Sequence, residues 1–386
     1  MNATDPIREA DRPGHPSGQR VSSARGPEVA ARVGIALGVA ILICFVTGLL
    51  SHWIQHPPQW FRWPTHPVWL YRLTQGVHVV TGVAAVPLVL VKLWAVYPRL
   101  FQRLKPSPLW LAERGSIALL VGSTLFELST GLANIAQYYP WKFFFPAAHY
   151  AMAYVAFGAL AVHLSVKLPI VREALARPID ATPEPDAKPV RVSRRAVLGT
   201  AWAAATVAAL SVAGQSVLFL RWAAVLAPRS GHGPQGVPVN RTAADAAVAT
   251  AAGDPGYRLV VTAGDRRREF TRAELAAMPQ AQANLPIACV EGWSAAATWS
   301  GVRLRDLLDA VGYRGGDVSV LSLEQAGLYR GSVLPADFAR DRDTLIALEL
   351  NGQTLNLDHG YPCRLIAPNR PGVLQTKWLS RIEVMS

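Results

Sequence analysis

The sequence predicts a two-part protein: an N-terminal all-α transmembrane four-helix bundle with a fifth membrane helix, followed by a C-terminal mixed α+β domain. Five apolar stretches, at 33–51, 73–91, 115–136, 147–166 and 196–220, each approach the ~20 residues that cross a bilayer as a helix. From Tyr257 onward the texture changes to short β-like runs ("YRLVVTAG", "DVSVLSL", "CRLIAP", "RIEVMS") separated by turn residues, with one helical stretch, "RLRDLLDAVG". Only 17% of the 386 residues are charged, which is low for a chain bathed in water.

Residues 1–32, rich in Arg, Pro, Ser and Gly, read as a disordered cytoplasmic tail without a cleavable signal peptide. The four-helix membrane domain occupies 33–172, a cytoplasmic linker 173–195, and the fifth membrane helix 196–222. A linker over 223–256, opened by "APRSGHGPQGVP", leads to the domain at 257–386. The net charge of +12 comes from Lys and Arg gathered between the apolar stretches, which orients a membrane protein and argues against nucleic-acid binding. The tail, the 92–114 segment and the 167–195 segment carry most of it and are assigned to the cytoplasm. The aromatic segments "HPPQWFRWPTHPVWLYR" and "YYPWKFFFP" fall on the other side, together with the C-terminal domain.

Six of the nine histidines lie in or beside the first four spans: His52, His56, His66, His78, His149 and His163. Ionisable groups in a bilayer are costly and face the bundle interior. His149 and His163, fourteen residues apart, share nearly one face of span four at depths about 21 Å apart. Two depths suit two b-type haems, each held by a histidine pair. His78 is expected to meet His163 on the inner side, and His149 to meet His52, His56 or His66 on the outer side. The alternative is that each histidine only hydrogen-bonds across helices. Glu127 in span three is either a proton relay or a neutral hydrogen-bonded carboxyl.

"GVHVVTGVAA" and "AAHYAMAYVAFGALAVHLSVKLP" resemble the di-haem cytochrome b membrane subunits of the formate dehydrogenase type over 33–172. In that family the fourth helix carries two haem histidines at this spacing, and the first-helix ligand lies near the cytoplasmic end. Here the first-span candidates lie at the outer end.

In the C-terminal domain, "LPIACVEGWSAAATWSGVRLRDLL" at 285–308 resembles the molybdenum-binding segment of the sulfite oxidase family, including the periplasmic methionine sulfoxide reductase catalytic subunit. The resemblance implies a molybdopterin-binding fold with the Cys289 thiolate on molybdenum, a soft donor suited to that metal. The other reading of Cys289, preferred for Cys44 and Cys363, is a buried thiol packing as a small hydrophobe. "DHGYPCRLIAPNRPGVLQTKWLSRIEV" at 358–384 resembles the segment that holds the cofactor's anionic tail. By that likeness His359, Arg364, Gln375, Thr376 and Lys377 contact the pterin, and Ser322 supplies a hydroxyl. Of the asparagine-rich stretch found in the sulfoxide reductase, only "VNRT" at 239–242 stands near its place.

"SRRAVLG" at 193–199 opens a mild, alanine-rich apolar stretch, as in twin-arginine signals that export prefolded domains. A domain loaded with a molybdenum cofactor in the cytoplasm needs such a route. The competing reading is that Arg194 and Arg195 merely follow the positive-inside tendency. The expected protein is thus a multi-pass enzyme of a bacterial cytoplasmic membrane with its molybdenum domain outside. It exchanges electrons with quinone or quinol through its haems and reduces a small sulfoxide-like substrate. Sulfite oxidation, or a tethered binding domain without turnover, are the alternatives.

Overall fold

The computed structural model describes residues 23–100, 107–179, 192–226, 233–327 and 329–385. Most of the predicted tail and much of the 173–195 linker lie outside the described residues. Among the described residues, five helices are long and apolar enough to cross a membrane: α1 Pro27–Gln55, α2 Leu70–Leu100, α3 Pro108–Ala136, α4 Phe145–Ala176 and α5 Arg194–Ala213. Ile35, Val39, Leu42 and Val46 of α1 are exposed, an outward apolar face suited to lipid. α1 packs against α2 and α4, α3 against α4, and α5 lies along α2.

The fifth span is shorter than predicted. α5 ends at Ala213 instead of Leu220 or Trp222, because the chain folds back at Gly214, where a Cβ would meet the Leu220 carbonyl at 2.5 Å. The residues beyond it form a short 3-10 turn, Leu218–Ala223, whose Phe219 and Trp222 are strongly exposed. Ser193 caps α5 by accepting from the Ala196 N–H, and Arg194 approaches the buried Glu28 carboxylate of α1 at 3.7 Å.

The C-terminal domain holds two five-stranded sheets. Its strands are β1 Leu259–Ala263, β2 Arg266–Phe270, β3 Gln280–Ala288, β4 Ser294–Arg303, β5 Val318–Ser322, β6 Gly331–Leu334, β7 Leu345–Leu350, β8 Gln353–Thr354, β9 Arg364–Ile366 and β10 Leu379–Val384. One sheet has the order β2-β1-β10-β5-β6; the other runs β3-β4-β7-β8, with β9 also paired to β7. Leucine, valine and isoleucine from the first sheet and from residues 304–311 form the larger core, and Trp299 centres the second.

The predicted linker at 223–256 is corrected from residue 234 onward. Val237 is buried in the Trp299 core, and Ala243, Ala246, Val248 and Ala252 pack beneath Trp378. The alanine-rich composition resembles a spacer, yet small side chains are what fits under an indole.

This domain sits on the end of the bundle formed by the α2 and α4 N-termini. Asn369, on a left-handed backbone, joins the two parts. Its Oδ1 accepts from the Tyr71 N–H in the first turn of α2 at 2.7 Å, its Nδ2 donates to the Pro64 carbonyl, and its own carbonyl accepts from the Trp63 indole. The helix is therefore capped by a residue far along the chain. His66 adds a contact to Asp341 at 3.1 Å. Asn369→Ala leaves a buried N–H unpaired and is expected to destabilise this junction by about 1–3 kcal/mol, read as faster proteolysis between the parts.

Candidate functional site

β3 and β4 form an antiparallel hairpin whose last pair is Ala288 with Ser294, so residues 289–293 are its tip. The Cys289 N–H donates to the Trp293 carbonyl at 2.9 Å and the Gly292 N–H to the Cys289 carbonyl at 3.0 Å. Gly292 has φ +93°, and a Cβ there would stand 2.8 Å from the Val79 side chain of α2. Glycine is required twice, for the turn and for close approach to the membrane helix. Cys289 is fully buried; burial, then the Glu291 carboxylate, push its thiol up.

Cys289 lines a solvent-open cleft containing about 700 Å³ of empty space, part of it bulk solvent. Arg364, Lys377 and His359 line it too, each held by backbone carbonyls. Arg364 donates to the carbonyls of His359 and Gln375, at 3.0 Å each, and its buried Nε has no hydrogen-bond partner among the described residues. Lys377 donates to the carbonyls of Arg241 and Asp358, and the His359 ring lies 2.8 Å from the Pro234 carbonyl. Burial lowers Arg364 to about 9; burial and then Arg364 lower Lys377 to about 7 and His359 to about 4. A Cβ at Gly360 would stand 3.0–3.1 Å from the Arg364 and Lys377 side chains, so a glycine lets the cations close together. A soft thiol and desolvated cations lining one cleft form a donor set that fits a molybdenum centre with an anionic pterin tail.

Lys377 gives this crowding a measurable signature. Its folded value lies below the ordinary 10.5, so the unfolded chain binds more protons between pH 7 and 10.5. Stability of the cofactor-free protein is expected to rise with pH across that window, and His359 adds a similar rise from about pH 4 to 6.5. Thermal melts of the wild type and Lys377→Met check this; the variant should lose the upper rise.

Not every expected residue reaches the cleft. Ser322 belongs to β5 and does not line it; its hydroxyl accepts from the Glu324 N–H at 3.2 Å, which makes it a turn-former. Gln375 and Thr376 line the cleft with their side chains engaged elsewhere: the Gln375 amide pairs with both backbone groups of Ala367, and Thr376 Oγ1 lies 2.8 Å from Ser332 Oγ. Asn240, Arg241, Trp293, Glu324 and Tyr329 also line it and escaped the residue-by-residue reading. "VNRT" and the tryptophan of "CVEGW" marked three of them. Arg241 pairs with Glu324 at 2.7 Å.

In the bundle, His78 meets His149 and not His163: the two ring centres are 6.4 Å apart. From Leu70 to His78 is eight residues and from Phe145 to His149 four, in helices that start on one side, so both lie at similar depth. His163 is eighteen residues into α4, beyond reach; the charges acting on it are Lys92, Lys167 and Glu113. His52 stacks on Tyr150 at 3.6 Å and lies 5.0 Å from His56, and neither ring stacks against His149. His66 stands at the domain junction. The inner and outer pairings expected from spacing are both corrected.

The Cys44 carbonyl can only accept, so His78 Nδ1 carries the proton it donates at 3.0 Å, leaving Nε2 as a lone pair. Thr130 gives its hydroxyl proton to the Phe126 carbonyl and thus accepts from His149 Nδ1 at 3.0 Å. Two nitrogens at about 2 Å from one metal ion set ring centres roughly 6 Å apart, close to what is found. A Cβ at Gly48 would stand 3.1 Å from His78, so α1 is pared back at this level. His149 Nε2 lies 3.1 Å from Glu127, a contact that a metal at this nitrogen would replace. The spacing of the two rings would suit a pair of ligands to one metal-bearing group.

Residues 246–386 match the family described as "Oxidoreductase molybdopterin binding domain". The chain is similar to human mitochondrial sulfite oxidase, with 32% identity over 34% of this chain and 24% of that protein. It is also similar to Arabidopsis thaliana sulfite oxidase (32%; 25% of this chain, 29% of that one) and to Hordeum vulgare nitrate reductase [NAD(P)H] (41%; 22% and 11%). The chain thus spans less than a third of the length of these curated relatives.

Proposed function

We propose, from the premise that residues 246–386 form a molybdopterin-binding oxidoreductase domain of the sulfite oxidase family, that the whole chain is a membrane-anchored molybdenum enzyme wired to a quinone pool. The observation that carries this reading is that Cys289 and the cationic cluster line one and the same cleft.

Cys289 would hold the metal, and Arg364, Lys377 and His359 the anionic tail. When bound, the cofactor supplies two-electron redox and oxygen-atom chemistry. With its raised thiol, Cys289 enters as a protonated group, so loading the metal releases a proton. An anionic tail restores the charge that burial suppresses on Lys377. Trp293 and Tyr329 line the same cleft as Cys289 and would limit water and shape the substrate's approach. His78 and His149 would hold one b-type haem, and quinol would supply its electrons from within the bilayer. The domain would lie outside a bacterial cytoplasmic membrane, exported folded behind Arg194 and Arg195.

Reduction of a sulfoxide is the first reading of the reaction; oxidation of sulfite is the second, favoured by the sulfite oxidases among the relatives. Purified full-length protein should contain molybdenum and show a b-type haem spectrum. It should oxidise a reduced dye when a methyl sulfoxide is added; sulfite-dependent reduction of an electron acceptor would select the second reading. Protein lacking molybdenum after expression with cofactor synthesis intact would overturn both.

A further inference from the structure

The hairpin tip that carries Cys289 rests on α2, which carries His78, and on α3, whose Thr130 bonds His149. Two side chains from different helices grip one carbonyl there: Gln75 Nε2 of α2 donates to the Val290 carbonyl at 3.0 Å and Asn134 Nδ2 of α3 donates to the same oxygen at 3.2 Å. Gln75 is buried and stands one helical turn from His78. Asn134, also buried, stands one turn from Thr130, which holds His149. Its amide is oriented in turn by the Tyr139 hydroxyl, which donates to Asn134 Oδ1 at 2.9 Å. Around this joint Ala288 packs against Ile54 and the buried Tyr71, the Ser294 N–H donates to the Gln215 carbonyl at 3.2 Å, and Gly292 lies against Val79.

A carbonyl gripped by the amides of two buried residues is a fixed point, because releasing either amide leaves a desolvated group unpaired. The residue so fixed follows Cys289 directly. We infer that the Gln75–Val290–Asn134 joint is the electron junction of the molecule: it holds the metal-binding hairpin over the histidine pair at a fixed separation. Gln75 and Asn134 are thereby positioning residues for transfer between the two. The inference rests on the function proposed above. Each transfer moves one electron and makes or breaks no bond; one centre is oxidised by a unit as the other is reduced by a unit. Two successive transfers meet the two-electron demand at the metal, and a quinol loses two electrons and two protons to supply them.

The test uses full-length protein loaded with both cofactors, as wild type and as Gln75→Leu/Asn134→Leu. Three quantities are read: molybdenum and haem content, hydrogen exchange at residues 290–294, and the rate at which dithionite-reduced haem is reoxidised by substrate in a single turnover. The expected result is unchanged content, faster exchange at the tip, and haem reoxidation slowed on the order of 10- to 100-fold, as small misplacements of reacting groups cost. Faster exchange with an unchanged reoxidation rate overturns the inference, and so does unchanged exchange. If the double variant does not assemble, Tyr139→Phe, which frees only the Asn134 amide, is read in the same way at smaller amplitude. Wild-type protein without haem or molybdenum would instead refute the function on which the inference depends.

Discussion

Cys289→Ser is expected to leave the fold intact and to lower turnover by on the order of 100-fold or more, since even outer-shell changes at a metal site cost about 10- to 100-fold. A hydroxyl is a harder and poorer donor than a thiolate for this metal, although its smaller volume is easily held in the turn. The hairpin does not depend on the sulfur: the Cys289 N–H and carbonyl make the turn, and Gly292 sets its shape. Thermal stability should therefore stay near that of the wild type. Metal content and steady-state turnover, measured on one preparation, check the prediction; full turnover in the serine variant would exclude Cys289 as the metal ligand.

His78→Ala and His149→Ala are each expected to abolish the b-type optical spectrum of the purified protein, while His163→Ala retains it. The contrast follows from geometry: the first two ring centres lie 6.4 Å apart, whereas the third lies about 20 Å further along α4 among Lys92, Lys167 and Glu113. One haem per chain is the expected stoichiometry, measured by pyridine haemochrome against protein. Two haems per chain, or a spectrum lost only with His163, would restore the pairing read from spacing.

The five spans were legible because lipid imposes length and apolarity, and α1 through α4 extend several residues past the stretches seen in the sequence. The end of α5 was not, since the reversal at Gly214 depends on what Leu220 and Ala224 place against it. The histidine pairing failed for a related reason. Periodicity gives the face of a helix, but depth must be counted from where each helix begins, and α2 and α4 both begin at the domain side. In the C-terminal domain, Cys289, Arg364 and Lys377 came from contiguous motifs and all line the cleft. Ser322 came from a single-residue match and does not. Glu324 and Tyr329 lie in a loop between strands, where hydrophobic pattern carries no information on direction.

The tip of the β3–β4 hairpin also governs how the protein can be divided. Cut free of the helices, the globular half would expose Ala288, Val290 and an unpaired carbonyl to water, and the helical half would expose Tyr71, Gln75 and Asn134. Each fragment then carries the other's complement, so separately produced halves should be individually sticky and sparingly soluble, yet recombine when mixed in detergent.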